Sequence, residues 1–231
     1  MRAARVQLKG KCNFCGESFS GSAMSRHLGV CKSRKRVELE TPPSVSNEEL
    51  LDIEVKGNNG FFTYWLYLEA NSNRTLKDLD ILLKKIWVEC CGHLSQFVIN
   101  GVNYAAYHGP SMGDKSMKAK LGDVLNEREV FTYEYDFGTT TTLNLKVISI
   151  RAAPSAQQGK NQITIRARND PPEISCDRCN SRKAAQVCAQ CICDGEEAWL
   201  CDRCASKHVC GEDMLLPVVN SPRVGVCGYT G

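Results

Sequence analysis

Fourteen cysteines dominate the chemistry that this 231-residue chain could perform. Eleven of them recur at the short spacings typical of metal ligands, in one cluster near the start of the chain and another near its end. In a reducing compartment, regularly spaced cysteines indicate metal binding more often than disulfide bonds. We therefore expect a cytoplasmic zinc-binding protein whose metal ions stabilise small structural modules.

The first cluster contains two ligand pairs. Cys12 and Cys15 form a CxxC pair, and His27 and Cys31 follow with three residues between them. A CxxC turn directs two thiolates at one ion, while a His and a Cys four positions apart lie on one face of a helix. The sequence thus predicts one tetrahedral zinc site made by these four side chains.

This order of ligands resembles a C2H2-type zinc finger in which the last His is replaced by Cys. Eleven residues separate the two pairs, where the family usually has about twelve. The resemblance implies a small finger held together by its metal. A single finger covers few base pairs, so sequence-specific reading of DNA is not expected from it alone.

Positive charge is concentrated around this finger. Residues 1–40 carry nine Lys and Arg against three Asp and Glu, whereas the whole chain has a net charge of only +3. Such a concentration predicts contact with the phosphates of DNA, RNA or a ribonucleoprotein. The alternative is a solvated basic tail. The side chains predicted to bind nucleic acid are Lys9, Lys11, Arg26, Lys32, Arg34, Lys35 and Arg36.

The second cluster contains three CxxC pairs within thirty residues. They are Cys176 with Cys179, Cys188 with Cys191, and Cys201 with Cys204, followed by His208, Cys210 and the more distant Cys227. Six cysteines in three pairs cannot close one tetrahedral site, so two ions are expected. Four protein ligands for each ion leave no open coordination position, which argues for structural rather than catalytic metal.

The order of these pairs resembles the cross-braced B-box and ZZ zinc domains. The resemblance implies a first site of Cys176, Cys179, Cys201 and Cys204. It implies a second site of Cys188, Cys191 and two of His208, Cys210 and Cys227, and the sequence does not choose among these three. Three zinc ions are therefore predicted for the whole chain, with Cys90, Cys91 and Cys193 binding nothing.

The middle of the chain holds the only substantial apolar core. Phe61–Ala70 is typical of a strand, and Thr75 can cap a helix whose apolar positions recur from Leu76 to Cys90. Asn100-Gly101 is a strong hairpin signal after a short strand. Short strands are also expected over 131–137, 143–150 and 163–166, with a helical turn at 121–125. This mixture predicts the α+β class.

Several segments of this region resemble the plasmid pRiA ORF-three-like family. They are Thr75–Leu79 with the helix to Trp87, Ser95–Phe97, Leu121–Leu125, Phe131–Gly138 and the closing Asn220–Tyr229. The resemblance implies a compact α+β domain and brings no established activity. Family members commonly continue after Asp136-Phe137-Gly138 with acidic and aromatic residues, whereas this chain has four threonines.

A further metal site in the middle domain is not expected. Cys90, Cys91, His93 and His108 are close in sequence, but adjacent cysteines on a helix point in different directions. Asp136-Phe137-Gly138 matches a kinase magnesium motif without the glycine-rich loop and the other elements of that fold, so it is interpreted as a strand end and turn. No nucleophile elbow or phosphate loop is found.

Four segments are therefore predicted. They are a zinc finger with basic flanks (1–36), a linker (37–49), an α+β domain (50–170) and a two-zinc cross-braced domain (171–231). No run of about eighteen apolar residues and no signal-peptide core occur, so neither a membrane span nor secretion is expected. We expect a non-enzymatic protein that binds nucleic acid through its finger. The alternatives are a protein-interaction adaptor using the rear zinc domain, and an enzyme built on the middle domain.

Overall fold

The computed structural model describes residues 6–39, 48–107, 113–153 and 162–231. These ranges form one large mixed sheet and one small sheet. The strands of the large sheet are β1 (Val6–Gln7), β2 (Lys9–Cys12), β3 (Ser18–Ser20), β4 (Glu49–Asn58), β5 (Phe62–Asn71), β6 (Ser95–Ile99), β7 (Val102–Ala105), β8 (Lys115–Ser116), β9 (Val130–Tyr135), β10 (Thr141–Ala152) and β11 (Ile163–Asn169).

The remaining elements are short. The helices are α1 (Gly21–Val30), α2 (Lys32–Leu39), α3 (Leu76–Leu83), α4 (Leu121–Val124), α5 (Ala189–Asp194) and α6 (Asp202–Ala205). A π-helical turn, Lys84–Val88, extends α3, and a 3-10 turn covers Glu212–Met214. The small sheet contains β12 (Gln186–Cys188), β13 (Trp199–Leu200) and β14 (Leu215–Pro217).

The large sheet runs in the order β3-β2-β11-β5-β4-β10-β9-β6-β7-β8, with β1 pairing beside β5. The described chain has more strands than helices and more residues in strands than in helices, so it is sheet-rich. The predicted α+β class is therefore confirmed only in part. Helix α3 begins at the predicted place, where the Thr75 side chain and Asp78 form a reciprocal capping box.

Strand β5 is buried on both of its faces. Tyr64, Leu66 and Leu68 point into the main core, which also contains the buried face of α3. The alternate residues Trp65 and Tyr67 point the other way, into the apolar cluster of the finger. Successive side chains of a strand point to opposite faces, so this one strand joins the two cores.

The N-terminal segment predicted to be a zinc finger, of which residues 6–39 are described, is thereby built into the sheet. Strand β2 pairs antiparallel with β11, Lys11 opposite Arg168 and Cys12 opposite Ala167. Met24 and Leu28 of α1 pack in the cluster with Trp65. The predicted segment boundaries stay a prediction, but the finger and the middle segment share hydrogen-bonded strands.

Of two features encoded in the local sequence, a hairpin was predicted correctly and a strand was not predicted. The hairpin predicted at Asn100-Gly101 joins β6 to β7, and both residues have the positive φ of 50° and 75° that a type I′ turn requires. Strand β4 was missed by the sequence analysis, although its residues alternate between buried and partly buried positions along the strand.

No helix within the described ranges is long and apolar enough to cross a membrane.

We predict that Leu79→Ala lowers the free energy of unfolding by about 2–5 kcal/mol, because Leu79 is fully buried in the main core and its removal leaves a cavity. Ile81→Ala is the matched control on the same helix, since Ile81 is 55% exposed. It should change stability by less than about 0.5 kcal/mol. Urea unfolding of the metal-loaded protein measures both. Equal losses in the two variants would contradict the assigned core face of α3.

Candidate metal centres

Within the part of the chain that the structure describes, four groups of cysteine and histidine side chains bring one ligand atom from each residue within 4.8 Å of one another. Each group contains four ligands, the number that a structural zinc site uses. The groups are Cys12/Cys15/His27/Cys31, Cys176/Cys179/Cys201/Cys204, Cys188/Cys191/His208/Cys210 and Cys90/Cys91/His93/Cys227. All four groups could hold a metal ion, and the first two contain the ligand sets that the sequence predicts.

The finger group is assembled by a hairpin and a helix. Cys12 ends β2, Cys15 lies in the turn that follows, and Gly16 completes that turn with a positive φ of 77°. Helix α1 supplies His27, whose Nε2 lies 3.3 Å from Cys15 Sγ, and Cys31 caps the end of the helix. The Phe19 ring stacks on the imidazole with 4.2 Å between centroids, which holds the ring towards the sulfur atoms.

Arg34 corrects one part of the predicted nucleic-acid surface. Its side chain is buried, and its Nη2 donates to both carboxylate oxygens of Asp52, at 2.9 and 2.6 Å. A third anchor is the Leu28 carbonyl oxygen, which accepts from Nη1 at 3.4 Å. A buried guanidinium needs such partners, so Arg34 fixes α2 to β4 and is not available to phosphates. The other six predicted basic residues are exposed: Lys9, Lys11, Arg26, Lys32, Lys35 and Arg36.

The two rear groups interleave along the chain, which is the cross-braced arrangement that the resemblance implied. Cys179 Sγ and Cys201 Sγ are 3.9 Å apart in the first of them. Asp177 fixes that corner, because its carboxylate accepts hydrogen bonds from the backbone amides of Ala198 and Trp199 at 3.0 and 2.8 Å.

Packing of the sulfur atoms makes their ionisation unequal. Burial, together with the adjoining thiols of this group, raises the pKa of Cys204 to about 12. Hydrogen bonds from the side chain and the backbone of Ser181 lower the pKa of Cys179 to about 6. Four sulfurs this close resist carrying charge together unless a cation lies between them, which is the condition that a bound metal ion meets.

The structure also selects among the ligands left open for the second rear site. Cys191 Sγ lies 3.4 Å from His208 Nε2 and 3.8 Å from Cys210 Sγ. With Zn–S and Zn–N bonds of about 2.3 and 2.05 Å, a tetrahedron separates two sulfurs by about 3.8 Å and a sulfur from a nitrogen by about 3.6 Å. His208 and Cys210 therefore complete this group. Cys227 lies elsewhere, and Cys193 is exposed and belongs to none of the four groups.

The fourth group was missed by the sequence analysis. The helix preceding Cys90 was expected to include it, which would have pointed Cys90 and Cys91 apart. Regular structure instead ends at Val88, and the two cysteines lie in a bend. Cys227 reaches them from a point 136 residues beyond Cys91, and no local spacing rule could reveal that approach. His108, considered earlier as a possible ligand, lies outside the described residues.

Comparison with known proteins agrees with the resemblance of the middle domain. Residues 51–179 match the plasmid pRiA4b ORF-3-like protein family. The chain belongs to this family. The matched segment ends at Cys179, inside the rear cysteine cluster, so family membership includes the first ligand pair of that cluster but not the finger.

The chain also resembles solved structures at low sequence identity. A crystal structure of a protein of unknown function from Methanosarcina mazei Go1 aligns with a TM-score of 0.41 and 19% sequence identity. The alignment covers 48% of this chain and 65% of that chain, just under two thirds of its length. No curated protein matches the sequence.

We predict that Cys210→Ser lowers the number of bound metal ions by one, because Cys210 supplies the fourth ligand of the second rear group. Native mass spectrometry of the full-length protein gives the count. Cys193→Ser is the matched control, since Cys193 is an exposed cysteine in the same domain outside every group. An unchanged count in Cys210→Ser, or an equal loss in Cys193→Ser, would show that this ligand set is wrong.

Proposed function

We propose that this family member is a non-enzymatic zinc-binding protein whose N-terminal finger contacts the phosphates of a nucleic acid. The observation that carries the proposal is the exposure of basic side chains on the finger. Within the described ranges, no carboxylate lies within ion-pair distance of Lys9, Lys11, Arg26, Lys32 or Lys35. Because these cations have no acidic neighbours, no ion pair within the protein has to be broken when they bind a polyanion. This favours their contact with phosphates.

The composition of the groups supports zinc as the metal. Three of the four contain three cysteines and one histidine, and the other contains four cysteines. Mixed sulfur and nitrogen ligands at tetrahedral spacing suit zinc better than an iron–sulfur cluster. Four protein ligands in each group leave no position for substrate or water, which supports a structural and non-catalytic role for the ions.

The packing of the finger's helix α1 against the large sheet favours contact with the backbone of a nucleic acid over reading of its bases. Met24 and Leu28, on one face of α1, are buried against Trp65 and Tyr67. A finger that reads bases inserts its helix into the major groove, and a helix fixed to a sheet has less freedom to do so. Lys9 and Lys11 project from the exposed face of β2, where a phosphate backbone can approach.

We predict that replacing Lys9, Lys11 and Lys35 together by alanine weakens binding to labelled single-stranded RNA and duplex DNA by about tenfold or more. Each lost phosphate contact removes about one unit from the slope of log affinity against log salt concentration, so the slope should fall by about two to three units. Fluorescence anisotropy over a salt series measures both quantities, and comparison of the two probes distinguishes RNA from DNA.

The matched control replaces Lys85, Lys118 and Lys146, three exposed lysines of the middle domain, and makes the same change in net charge. It should leave affinity and slope nearly unchanged. Equal losses in the two triple variants would mean that only net charge matters. Absence of salt-dependent binding by the unaltered protein would refute the proposal. Arg34 is left intact in both variants because its removal would break its largely buried ion pair with Asp52.

A second candidate is a protein-interaction adaptor, and one observation favours it. Arg178, Arg182, Arg203 and Lys207 line an open pocket beside Cys179, Cys201 and Cys204, and no carboxylate lines that pocket. Four thiolates and one zinc ion sum to −2, so four cations exceed what is needed to neutralise the site. The pocket suits the carboxylates of an acidic peptide.

We predict that Arg178→Glu with Arg203→Glu abolishes binding of an Asp- and Glu-rich peptide measured by anisotropy, while the finger's affinity for RNA is retained. The control pair Arg26→Glu with Lys32→Glu, on the finger, should show the opposite pattern. A protein that fails to bind the peptide even at low salt, where such contacts are strongest, would remove the adaptor candidate.

A further inference from the structure

The four ligand atoms of the group Cys90/Cys91/His93/Cys227 converge within 4.8 Å of one another. Cys90 Sγ and Cys91 Sγ are 3.6 Å apart, and Cys91 Sγ lies 4.0 Å from Cys227 Sγ. His93 Nε2 lies 3.0 Å from Cys91 Sγ and 3.3 Å from Cys227 Sγ. The two sulfur–sulfur separations lie on either side of the value of about 3.8 Å that zinc–sulfur bonds produce, and both sulfur–nitrogen separations are shorter than the corresponding value of about 3.6 Å. The Cys91–Cys227 separation is about twice the S–S bond of a disulfide.

In the middle domain, the backbone conformation of residues 90–93 brings three of the ligands together. Gly92 has a positive φ of 82°, which turns the chain so that His93 returns beside Cys91. The hydroxyl of Tyr135 accepts hydrogen bonds from the amides of Cys90 and His93, each at 3.3 Å. The same hydroxyl donates to Glu89 Oε1 at 2.9 Å. One buried phenol therefore fixes both ends of the ligand loop.

The tail side has the form of a knuckle. Cys227 has a positive φ of 50°, uncommon for a residue other than glycine, and lies between Gly225 and Gly228, which are also left-handed. Three left-handed residues among four successive positions reverse the chain tightly and present the sulfur. Strained backbone of this kind persists where surrounding interactions, such as metal bonds, hold it in place.

A buried arginine lies behind the group. Arg223 is fully buried, and its Nη2 donates to Asp136 Oδ2 at 2.6 Å and to Cys90 Sγ at 3.4 Å. Its Nη1 donates to the Thr139 carbonyl oxygen and to Thr141 Oγ1. A guanidinium beside a sulfur stabilises the thiolate, which is the form that binds metal. Three thiolates with one zinc ion carry −1, and Arg223 lies where it can offset that charge.

The segment around Cys227 is already seated on the middle domain. Ser221 donates to the Trp87 carbonyl oxygen, and Asn220 exchanges two hydrogen bonds with Asn169, at 2.7 and 2.8 Å. Pro222 lies so close to Gly57 that a Cβ atom built on Gly57 would come within 2.6 Å of the proline ring. The segment therefore approaches the large sheet at a fixed position, with Cys227 directed at the ligand loop.

We propose that Cys90, Cys91, His93 and Cys227 bind a fourth zinc ion, which fastens the C-terminal segment 220–229 to the large sheet. The inference is independent of nucleic-acid binding, because none of these residues belongs to the finger. The competing reading is that the thiols are free and that His93 pairs only with Asp136, whose Oδ2 lies 3.5 Å from Nε2.

Alkylation of the unaltered, metal-loaded protein separates these readings without any mutation. Cys193 and Cys227 are both exposed, so free thiols at the two positions should react with N-ethylmaleimide at comparable rates. Zinc coordination removes the free thiolate. We expect Cys227 to react at least about tenfold more slowly than Cys193, and to become as reactive as Cys193 after zinc is removed with a chelator. Equal rates before chelation, read by peptide mass spectrometry, would overturn the proposal.

Metal counting tests the same inference independently. The unaltered protein should carry four zinc ions, and Cys227→Ser should carry three, whereas Cys193→Ser should retain four. Hydrogen exchange should then show segment 220–229 opening faster in Cys227→Ser than in Cys193→Ser. Three ions in the unaltered protein, with Cys227→Ser also at three, would refute the fourth site. Nucleic-acid affinity should be unchanged in Cys227→Ser, so this test and that of the finger fail separately.

Discussion

Burial of β5 on both faces is the constraint on which the arrangement of the molecule depends. The strand contributes Leu66 and Leu68 to the main core and Trp65 and Tyr67 to the finger cluster. A segment of this size cannot bury enough apolar surface to fold on that basis alone, so it depends on the partner surface that β5 supplies, and a metal ion held by its four ligands would stabilise it further. The Trp65 indole also donates to the Leu8 carbonyl oxygen at 2.8 Å, and the Tyr67 hydroxyl to the Gly21 carbonyl oxygen at 2.8 Å. Each aromatic residue thus adds a directional bond to the apolar contact.

Buried ion pairs also connect parts of the chain that are far apart in sequence. Arg34 of α2 reaches Asp52 of β4, and Glu69 of β5 accepts from Arg151 and Arg166. Such groups are costly to bury and retain their charge only where every partner is present. They add little net stability compared with apolar packing, but an alternative arrangement would leave a charge unpaired. We infer that this network defines how the finger is placed on the sheet more than how tightly it is held.

Features set by residues close together in the sequence could be predicted. Features set by contacts between residues far apart in the sequence could not. The capping box at Thr75, the Asn100-Gly101 hairpin and the finger ligands all lie within short segments, where spacing dictates geometry. Strand β4 carries an alternating pattern that was available but overlooked. By contrast, Cys227 was attributed to the nearest cluster in sequence, because nothing local indicates that the chain returns to Cys91. Arg34 was misjudged for a similar reason, since its partner on β4 is not visible from the basic run around it.

A metal ion at Cys227 would stabilise the fold by linking two parts of the chain that are far apart in sequence. The C-terminal segment buries Val224 and Tyr229, and its hydrogen bonds to Asn169 and Trp87 exchange for bonds to water with only a modest net gain. His93 and Cys227 are 134 residues apart in sequence. A link between such positions removes more freedom from the unfolded chain than a link within a short loop, with a cost of closure that grows as the logarithm of loop length. A metal bond can supply that link where cellular reductants keep disulfides open. Arg223 and Asp136 lie behind the same ligands, so an ion bound there and the buried pair would act on the same few residues to hold the segment on the sheet.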